Sequence, residues 1–340
     1  MQGVVLSGTN NVFLVLCEDG ERRSCAIKGK RIKDKEFEYN ALAAGDAVEV
    51  EIDERGQGLV ISLKARRNAF GRYNEKGRAH QSMAANIDLV VCIASPSFPP
   101  FRPRFVDRVA ILAEAAHVPL LIALNKTDLG VDDETEERLA LYEKLGYGIR
   151  RCSAESGEGV SELINLLADK TSVFVGQSGV GKSSLLNTIE PGLGRRTGEV
   201  SEKYARGKHT TTMAELVVLP GGARIIDTPG VRRLALRGID PERLDAYYPE
   251  LAPLTPLCEF GLSCTHTDET GCRITRAVEE GLVHPDRYES YLRVRWELEA
   301  NAEYSAKEGW SVPPPRRAGG KRGDGARRQA RYHGREEEDD

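Results

Sequence analysis

No stretch of this sequence approaches the roughly 20 consecutive apolar residues of a membrane-spanning helix. A run such as "VPLLIAL" at 118–124 suits a buried strand instead. The opening "MQGVVLSGTN" lacks the basic start and apolar centre of a signal peptide, so the expectation is a cytoplasmic protein with no membrane partner. A strong charge of either sign is also missing: 48 basic against 52 acidic residues leave a net charge of −4. That total leaves a local basic patch free to bind nucleic acid. The cysteines do not form a disulfide framework. There are seven, an odd count, four scattered singly and three crowded between 258 and 272, which fits a reducing compartment and a metal site. No internal repeat is visible. With 40% hydrophobic and 29% charged residues over 340 positions, the chain can build two or three globular cores.

The periodicity changes along the chain. Short strand-like runs, "NVFLVL", "SCAIKG", "DAVEVEI" and "GLVISL", fill the first 68 residues, with Val48, Val50 and Ile52 alternating with polar neighbours and Gly20, Gly45 and Gly56 at turn positions. These predict a small OB-type β-barrel over 1–68. The polar stretch "RRNAFGRYNEKGRAHQ" reads as a linker. From "IDLVVCIAS" onward, near-continuous apolar runs alternate with the amphipathic patterns "RFVDRVAILAEAAH", "ETEERLALYEKLG" and "GVSELINLLADK". That is the signature of an α/β domain with parallel strands covered on both faces, here over 69–235. "ELVVLPGGARIIDTPG" predicts a hairpin turning at Gly221 and Gly222. A Cys-bearing, then helical segment follows over 236–310, and the charged residues 311–340, without apolar period, are expected to be disordered.

"GQSGVGKS" satisfies G-x-x-x-x-G-K-[ST], between the strand-like "SVFV" and the helix-like "SSLLNTI". In Gly176, Gln177, Ser178, Gly179, Val180, Gly181, Lys182, Ser183 and Ser184, backbone amides can curl round phosphates. Lys182 can reach the β and γ oxygens, and Ser183 can ligate Mg²⁺. "NKTD", Asn125, Lys126, Thr127 and Asp128, follows an apolar strand; the Asp128 carboxylate can accept both in-plane donors of guanine, a pair adenine lacks. "CSAESGEGV" offers Ser153 and the backbone of Ala154 as the loop that closes over a base. "DTPG" supplies Asp227 to support Mg²⁺ and the Gly230 amide to face a γ-phosphate. "GKHTTT" at 207–212 lies where a first switch loop belongs, with Thr210 or Thr211 a candidate Mg²⁺ ligand. Any one of these could be a polar turn; together they predict a GTP site.

The order of these elements is NKTD, SA, phosphate loop, Thr loop, DTPG, a circular permutation of the usual GTPase order. A sheet tolerates this because it depends on contacts, not chain order. The chain then leaves the GTPase core straight after the γ-phosphate sensor, a short mechanical link to whatever follows. "NKTDL", "FVGQSGVGKSSLLN", "GKHTTT", "IIDTPG", the N-terminal barrel with the "RRN" that ends it, and a Cys/His cluster together resemble the bacterial ribosome small-subunit-dependent GTPase A family over about residues 1–310. The resemblance implies a GTPase that binds the small ribosomal subunit late in its assembly and is stimulated by it; a permuted GTPase serving the large subunit or another structured RNA is the alternative. Val231 stands where many GTPases carry a water-orienting Gln, so unassisted hydrolysis should be slow. His209 is the candidate to orient the water or relay its proton, the alternative being a solvent-facing switch histidine.

"CEFGLSCTHTDETGC" places Cys258, Cys264, His266 and Cys272 within fifteen residues. Three thiolates and an imidazole make a closed tetrahedral zinc set, structural in type; three buried thiols near a chance histidine are the bland alternative. The family has one residue fewer than the five between the first two cysteines here. Cys17, Cys25, Cys92 and Cys152 lie in apolar runs and read as packing residues. For rRNA contact, Arg22, Arg23, Lys28, Lys30, Arg31 and Lys33 cluster on one strand-loop unit, either a phosphate-binding face or a solvated loop. The helix carrying Arg287, Arg293 and Arg295 reads as packed first and an RNA surface second. A monomer is expected.

Overall fold

Strand-forming residues at period two close the N-terminal segment on itself. The computed structural model describes residues 1–9, 11–28, 39–54, 56–74, 79–193, 214–230, 234–236, 238–267 and 269–307. His209, Thr210, Thr211, Val231, Lys30, Arg31, Lys33 and the 311–340 tail lie outside them. Strands β1 (Gln2–Thr9), β2 (Val12–Cys17), β3 (Arg22–Ile27), β4 (Ala47–Ile52) and β5 (Gly58–Leu63) form a closed barrel in the order β1-β2-β3-β5-β4. β3 pairs with β5 in parallel and β4 returns to β1 antiparallel, the five-stranded arrangement expected of an OB-type barrel. Its core holds Val5, Phe13, Val15, Cys17, Cys25, Val48, Val50 and Val60. Ile52, at the end of β4, is 41% exposed.

The stretch read as a linker is a β-hairpin, β6 (Ala69–Asn74) with β7 (Ala79–Ala85). Its composition misled because polar residues occupy most positions, yet Phe70, Met83, Ala84 and Ala85 are buried. The hairpin lies between the barrel and the central core: Ala85 donates its amide to Ala44 at 2.9 Å. Gly45 has φ +88, and a Cβ there would stand 2.3 Å from the Ala85 carbonyl oxygen, so the approach requires glycine. Arg66 closes the same seam with two hydrogen bonds to the buried Asp46, at 2.7 and 2.8 Å.

A six-stranded sheet follows: β8 (Leu89–Ala94), β9 (Leu120–Leu124), β10 (Gly148–Arg151), β11 (Thr171–Gly176), β12 (Glu215–Val218) and β13 (Arg224–Asp227), in the order β10-β9-β8-β11-β13-β12. All pairings are parallel except β12 with β13. The helices between them are α1 (Pro103–Ala115), α2 (Asp133–Lys144), α3 (Val160–Leu167) and α4 (Lys182–Ile189). Alternation along the buried strands divides two cores. Val90, Cys92, Ile122 and Val175 face α1 and α2 residues such as Val106, Val109 and Leu139; Val91, Ile93, Ala123 and Phe174 face Val160, Leu163 and Leu185 of α3 and α4. This is the doubly covered parallel sheet that the continuous apolar runs require. The β12–β13 hairpin turns where expected: Pro220 precedes Gly221 at φ +89, and the Gly222 amide donates to Leu219 at 3.1 Å, a Pro-Gly turn.

The segment after β13 continues through short 3-10 turns at Pro241–Tyr247, Thr255–Leu257 and Gly261–Ser263 into α5 (Arg273–Glu279) and α6 (Pro285–Lys307). Its core gathers Leu236, Leu244, Tyr248, Leu251, Ile274, Tyr291 and the three cysteines around Ile111 of α1. By its internal contacts residues 1–299 form one compact unit, which ends within α6.

Candidate nucleotide site and metal centre

The chain runs from β8 outward through β9 and β10, then returns across β8 to β11 and continues to β13. The direction of winding therefore reverses between β8 and β11, and the crevice beyond the carboxyl ends of strands at such a reversal is where ligands bind in open α/β sheets. Every nucleotide motif read from the sequence and described in the structure lies at that edge. Asn125 follows β9, Ser153 follows β10, the Gly-rich loop follows β11, and Asp227 ends β13.

Asn125 joins three of these loops. It is fully buried. Its Nδ2 donates to the Val180 carbonyl at 3.0 Å, and its Oδ1 accepts the Ala154 amide at 3.0 Å. Lys126 adds a second strut, its Nζ donating to the carbonyls of Gly179 and Phe98, both at 2.7 Å. The Thr127 hydroxyl donates to Cys152 O at 3.1 Å, and Ser153 Oγ donates to the Asp128 carboxylate while accepting the Glu155 and Ser156 amides. Asp128 itself is exposed, its carboxylate held by one hydroxyl with acceptor capacity remaining. Thr188 of α4 donates to Ala154 O at 3.0 Å, tying the SA loop back to the helix that the phosphate loop opens.

In the Gly-rich loop, Gly179 and Gly181 have φ +88 and +86. α4 begins at Lys182, so the loop presents a helix N-terminus, a favourable place for an anion. Gln177, Ser183 and Ser184 are half-buried and Ser178 is exposed at the mouth. Lys182 is buried and ion-paired with Asp227, and Gly230 sits against Ser178, 3.5 Å from that residue's Cα to an added Cβ. The carboxylate of Asp227 and the hydroxyl of Ser183 are hard oxygen donors beside an anion cradle, a set that suits Mg²⁺.

Two supports were not legible in the motifs. The loop after β8, "SPSFPP", supplies the Phe98 carbonyl that holds Lys126, and Ser95 Oγ lies 2.7 Å from the carbonyls of Ser97 and Pro99. A Pro-rich turn at the carboxyl end of a central strand was the signal available. Thr228, fully buried, donates its hydroxyl to Phe174 O at 2.7 Å, fixing the DTPG turn to the phosphate-loop strand.

Beyond DTPG, Leu234 and Leu236 are buried. Arg108 of α1 donates to the Leu234 carbonyl at 3.0 Å and pairs with Glu297 of α6. Arg287 of α6, 3% exposed, pairs with Asp107 of α1 and with Glu250 at 2.6 Å, and its guanidinium lies 4.7 Å from the Tyr248 ring centre. Tyr142 donates to Asp107 at 2.7 Å. Arg295 is likewise buried and Arg293 is held by Glu289 at 2.7 Å, so this helix is packed, as the sequence suggested, with Arg287 and Arg295 facing inward. In the barrel, Arg23 is paired with Asp19 and Lys28 with Glu51, while Arg22 is exposed.

The ligand atoms of Cys258, Cys264, His266 and Cys272 all lie within 4.8 Å of one another, and all four residues are buried. His266 Nδ1 stands 3.6 Å from the sulfurs of both Cys258 and Cys272. A tetrahedral zinc with the usual Zn–S and Zn–N lengths separates a sulfur from a nitrogen by about 3.6 Å, so the donor set fits the ion in kind and spacing. The longer interval after Cys258 is taken up by the Gly261–Ser263 turn without displacing that cysteine from the group. Burial lowers the His266 pKa, favouring the neutral imidazole a metal needs, while burial raises that of the Cys264 thiol, which a cation would counter. The Arg273 amide donates to Cys258 Sγ at 3.3 Å, and Tyr288 to the His266 carbonyl at 2.7 Å, outer supports of the kind that orient metal ligands. The other four cysteines are buried and free.

A family model described as RsgA GTPase matches residues 63–237. The chain is 41% identical over 301 residues to a small ribosomal subunit biogenesis GTPase RsgA from Chlorobaculum parvum, covering 86% of this chain and 96% of the relative. It is 38% identical over 304 residues to the protein of the same name from Gemmatimonas aurantiaca, covering 87% and 97%. Among solved structures, YjeQ from Thermotoga maritima superposes with a TM-score of 0.68 at 33% identity, over 87% of this chain and 98% of that one. YloQ, described as a circularly permuted GTPase, gives 0.65 at 28% identity, over 88% and 95%.

Proposed function

This chain belongs to the RsgA GTPase family, and on that premise we propose that it hydrolyses GTP in the maturation of the small ribosomal subunit, with turnover stimulated by the subunit. The observation that carries the reading is the junction at Asn125, which fastens the guanine-reading loop and the phosphate loop to each other although the first precedes the second in sequence.

In this reading Asp128 accepts guanine N1–H and the exocyclic amine, with Ser153 orienting the carboxylate and Ala154 closing the base side. The amides from Gly176 to Ser184 cradle the phosphates. Lys182 exchanges its Asp227 partner for the β and γ oxygens. Ser183, with Thr210 or Thr211, would hold Mg²⁺ with Asp227 behind, and the ion would neutralise charge building on the phosphates. The Gly230 amide faces the γ-phosphate. Val231 cannot orient water, and His209 is the group assigned to do so. Loss of the γ-phosphate would move the DTPG turn, and Arg108, which touches both the following segment and α6, passes that motion to the metal-bearing segment.

The division into a barrel (1–68), a GTPase domain (69–235), a zinc segment (236–310) and a tail (311–340) belongs to the same proposal, supported at its centre by the 63–237 family match. So do one structural zinc at Cys258, Cys264, His266 and Cys272, rRNA contact through the barrel, a cytoplasmic location and a monomeric chain. Among the described residues no helix is long and apolar enough to cross a membrane. Nothing in the site favours the large-subunit alternative. GTP turnover measured with isolated small subunits, large subunits or neither tests the reading: stimulation is expected with small subunits alone, and equal rates in all three would overturn it.

A further inference from the structure

Leu257 and Leu262, in the two short turns on either side of Cys258, and Phe260 between those turns are among the most exposed large apolar side chains of the described residues, at 65%, 79% and 58%. They fall within six residues. Cys258 and Cys264, between and beside them, are buried in the Cys3His group, so the backbone here turns its cysteines inward and leaves these three side chains outside. Exposed apolar side chains grouped within a few residues mark an interaction site.

The charge around them says what kind of partner fits. From Leu251 to Cys272 the chain has no lysine or arginine, whereas Glu259 and Glu269 are acidic. Glu259 is exposed. Glu269 accepts the amides of Thr265 and Thr267 at 2.7 and 3.0 Å, which holds its carboxylate on this segment. The next cation along the chain, Arg273, is neutralised by Glu280 at 2.9 Å. A phosphate backbone would be repelled by this surface, since phosphate binding rests on Lys and Arg.

We propose that the Leu257–Phe260–Leu262 tip docks a protein of the small subunit, one presenting an apolar pocket rimmed by Lys and Arg, and not rRNA. This rests on the reading that the small subunit is the target. Apolar anchors surrounded by complementary charge are the usual composition of a protein contact.

The test uses the full-length chain with isolated small subunits. A photo-crosslinking phenylalanine analogue at position 260 should give an adduct that survives nuclease and is lost to protease. Replacing Leu257, Phe260 and Leu262 together by Ser should weaken co-sedimentation by about tenfold or more, as loss of buried anchors does, while the salt dependence keeps its slope because no phosphate contact is removed. Retained zinc content and GTP affinity show that the variant is folded. A nuclease-sensitive adduct, an adduct with a second copy or with the chain's own 311–340 tail, or unchanged co-sedimentation of the folded triple variant would each overturn the proposal. If the unaltered chain fails to sediment with small subunits, the functional reading itself fails, a separate outcome.

Discussion

The side-chain amide of Asn125 donates to the backbone carbonyl of Val180 at 3.0 Å, across 55 positions of sequence. That bond is where a permuted order of motifs becomes a single site: the loop proposed to read the base and the loop proposed to hold the phosphates share a buried amide. The contact is made from the carboxyl ends of β9 and β11, which β8 separates in the sheet. Chain order is irrelevant to it.

Gly181 is the point of closest approach in this junction. A Cβ there would lie 2.4 Å from Asn125 Nδ2, at a φ of +86. Gly181→Ala should therefore cost about 1 kcal/mol from backbone strain alone, and more from pushing Asn125 away. Thermal melts and nucleotide titration check this. The variant is expected to lose most GTP affinity, and wild-type affinity would show that the two loops need not touch.

Asp128→Asn should exchange an acceptor for a mixed donor and acceptor. GTP affinity is expected to fall by at least about a hundredfold, because a site built around hydrogen bonds rejects a mismatched partner strongly. Xanthosine triphosphate should become the preferred nucleotide. Competition binding with the two nucleotides is the measurement, and an unchanged order of preference would displace the base pocket from Asp128.

Arg287 neutralises two buried carboxylates, Asp107 and Glu250, within one network. Arg287→Met leaves both without their cation and is expected to destabilise the chain by about 3–5 kcal/mol, the usual result of breaking a buried pair. Adding Asp107→Asn and Glu250→Gln should recover part of the loss. Urea unfolding of the single and triple variants measures it; additive losses would mean that the three groups do not act together.

One zinc per chain is expected by metal analysis, and Cys258→Ser should reduce it while leaving GTP affinity nearly intact, because the nucleotide loops are built on β9, β10, β11 and β13 and not on the metal-bearing segment. Chelation should raise proteolytic cleavage between 251 and 284. A chain purified without metal, with an undiminished melting temperature, would remove the structural role.

His209 lies outside the described residues, and its proposed role stands on its place in "GKHTTT". His209→Ala should abolish subunit-stimulated turnover with little change in GTP affinity. Full stimulated turnover in that variant returns the role to another group, including one supplied by the ribosome.

The local signals were legible because each is a short-range constraint. Period-two apolar runs announced the barrel strands and the covered sheet, and Gly-Lys-Ser announced a loop opening a helix. Four ligand-type residues in fifteen announced a buried Cys3His group that could hold a metal, and Cys258 joins it despite its longer spacing. The β6–β7 hairpin was missed since its polar composition carries no strand period. Its burial of Phe70 and Met83 comes from neighbours far along the chain. The Arg287 network was invisible for the same reason, with partners 37 and 180 residues away.

The sequence by itself determined which chemical groups are present and the local geometry that each short motif imposes: a glycine-rich turn opening a helix, a carboxylate after a buried strand, four Cys and His side chains of ligand type. Tertiary structure alone decided which of them meet. Whether Asn125 reaches Val180, whether Arg108 bridges the segment after DTPG to α6, and whether the tip at Leu257, Phe260 and Leu262 stays outside are settled by sheet order and burial. Those are set by the summed packing of the whole chain, which no short window of residues contains.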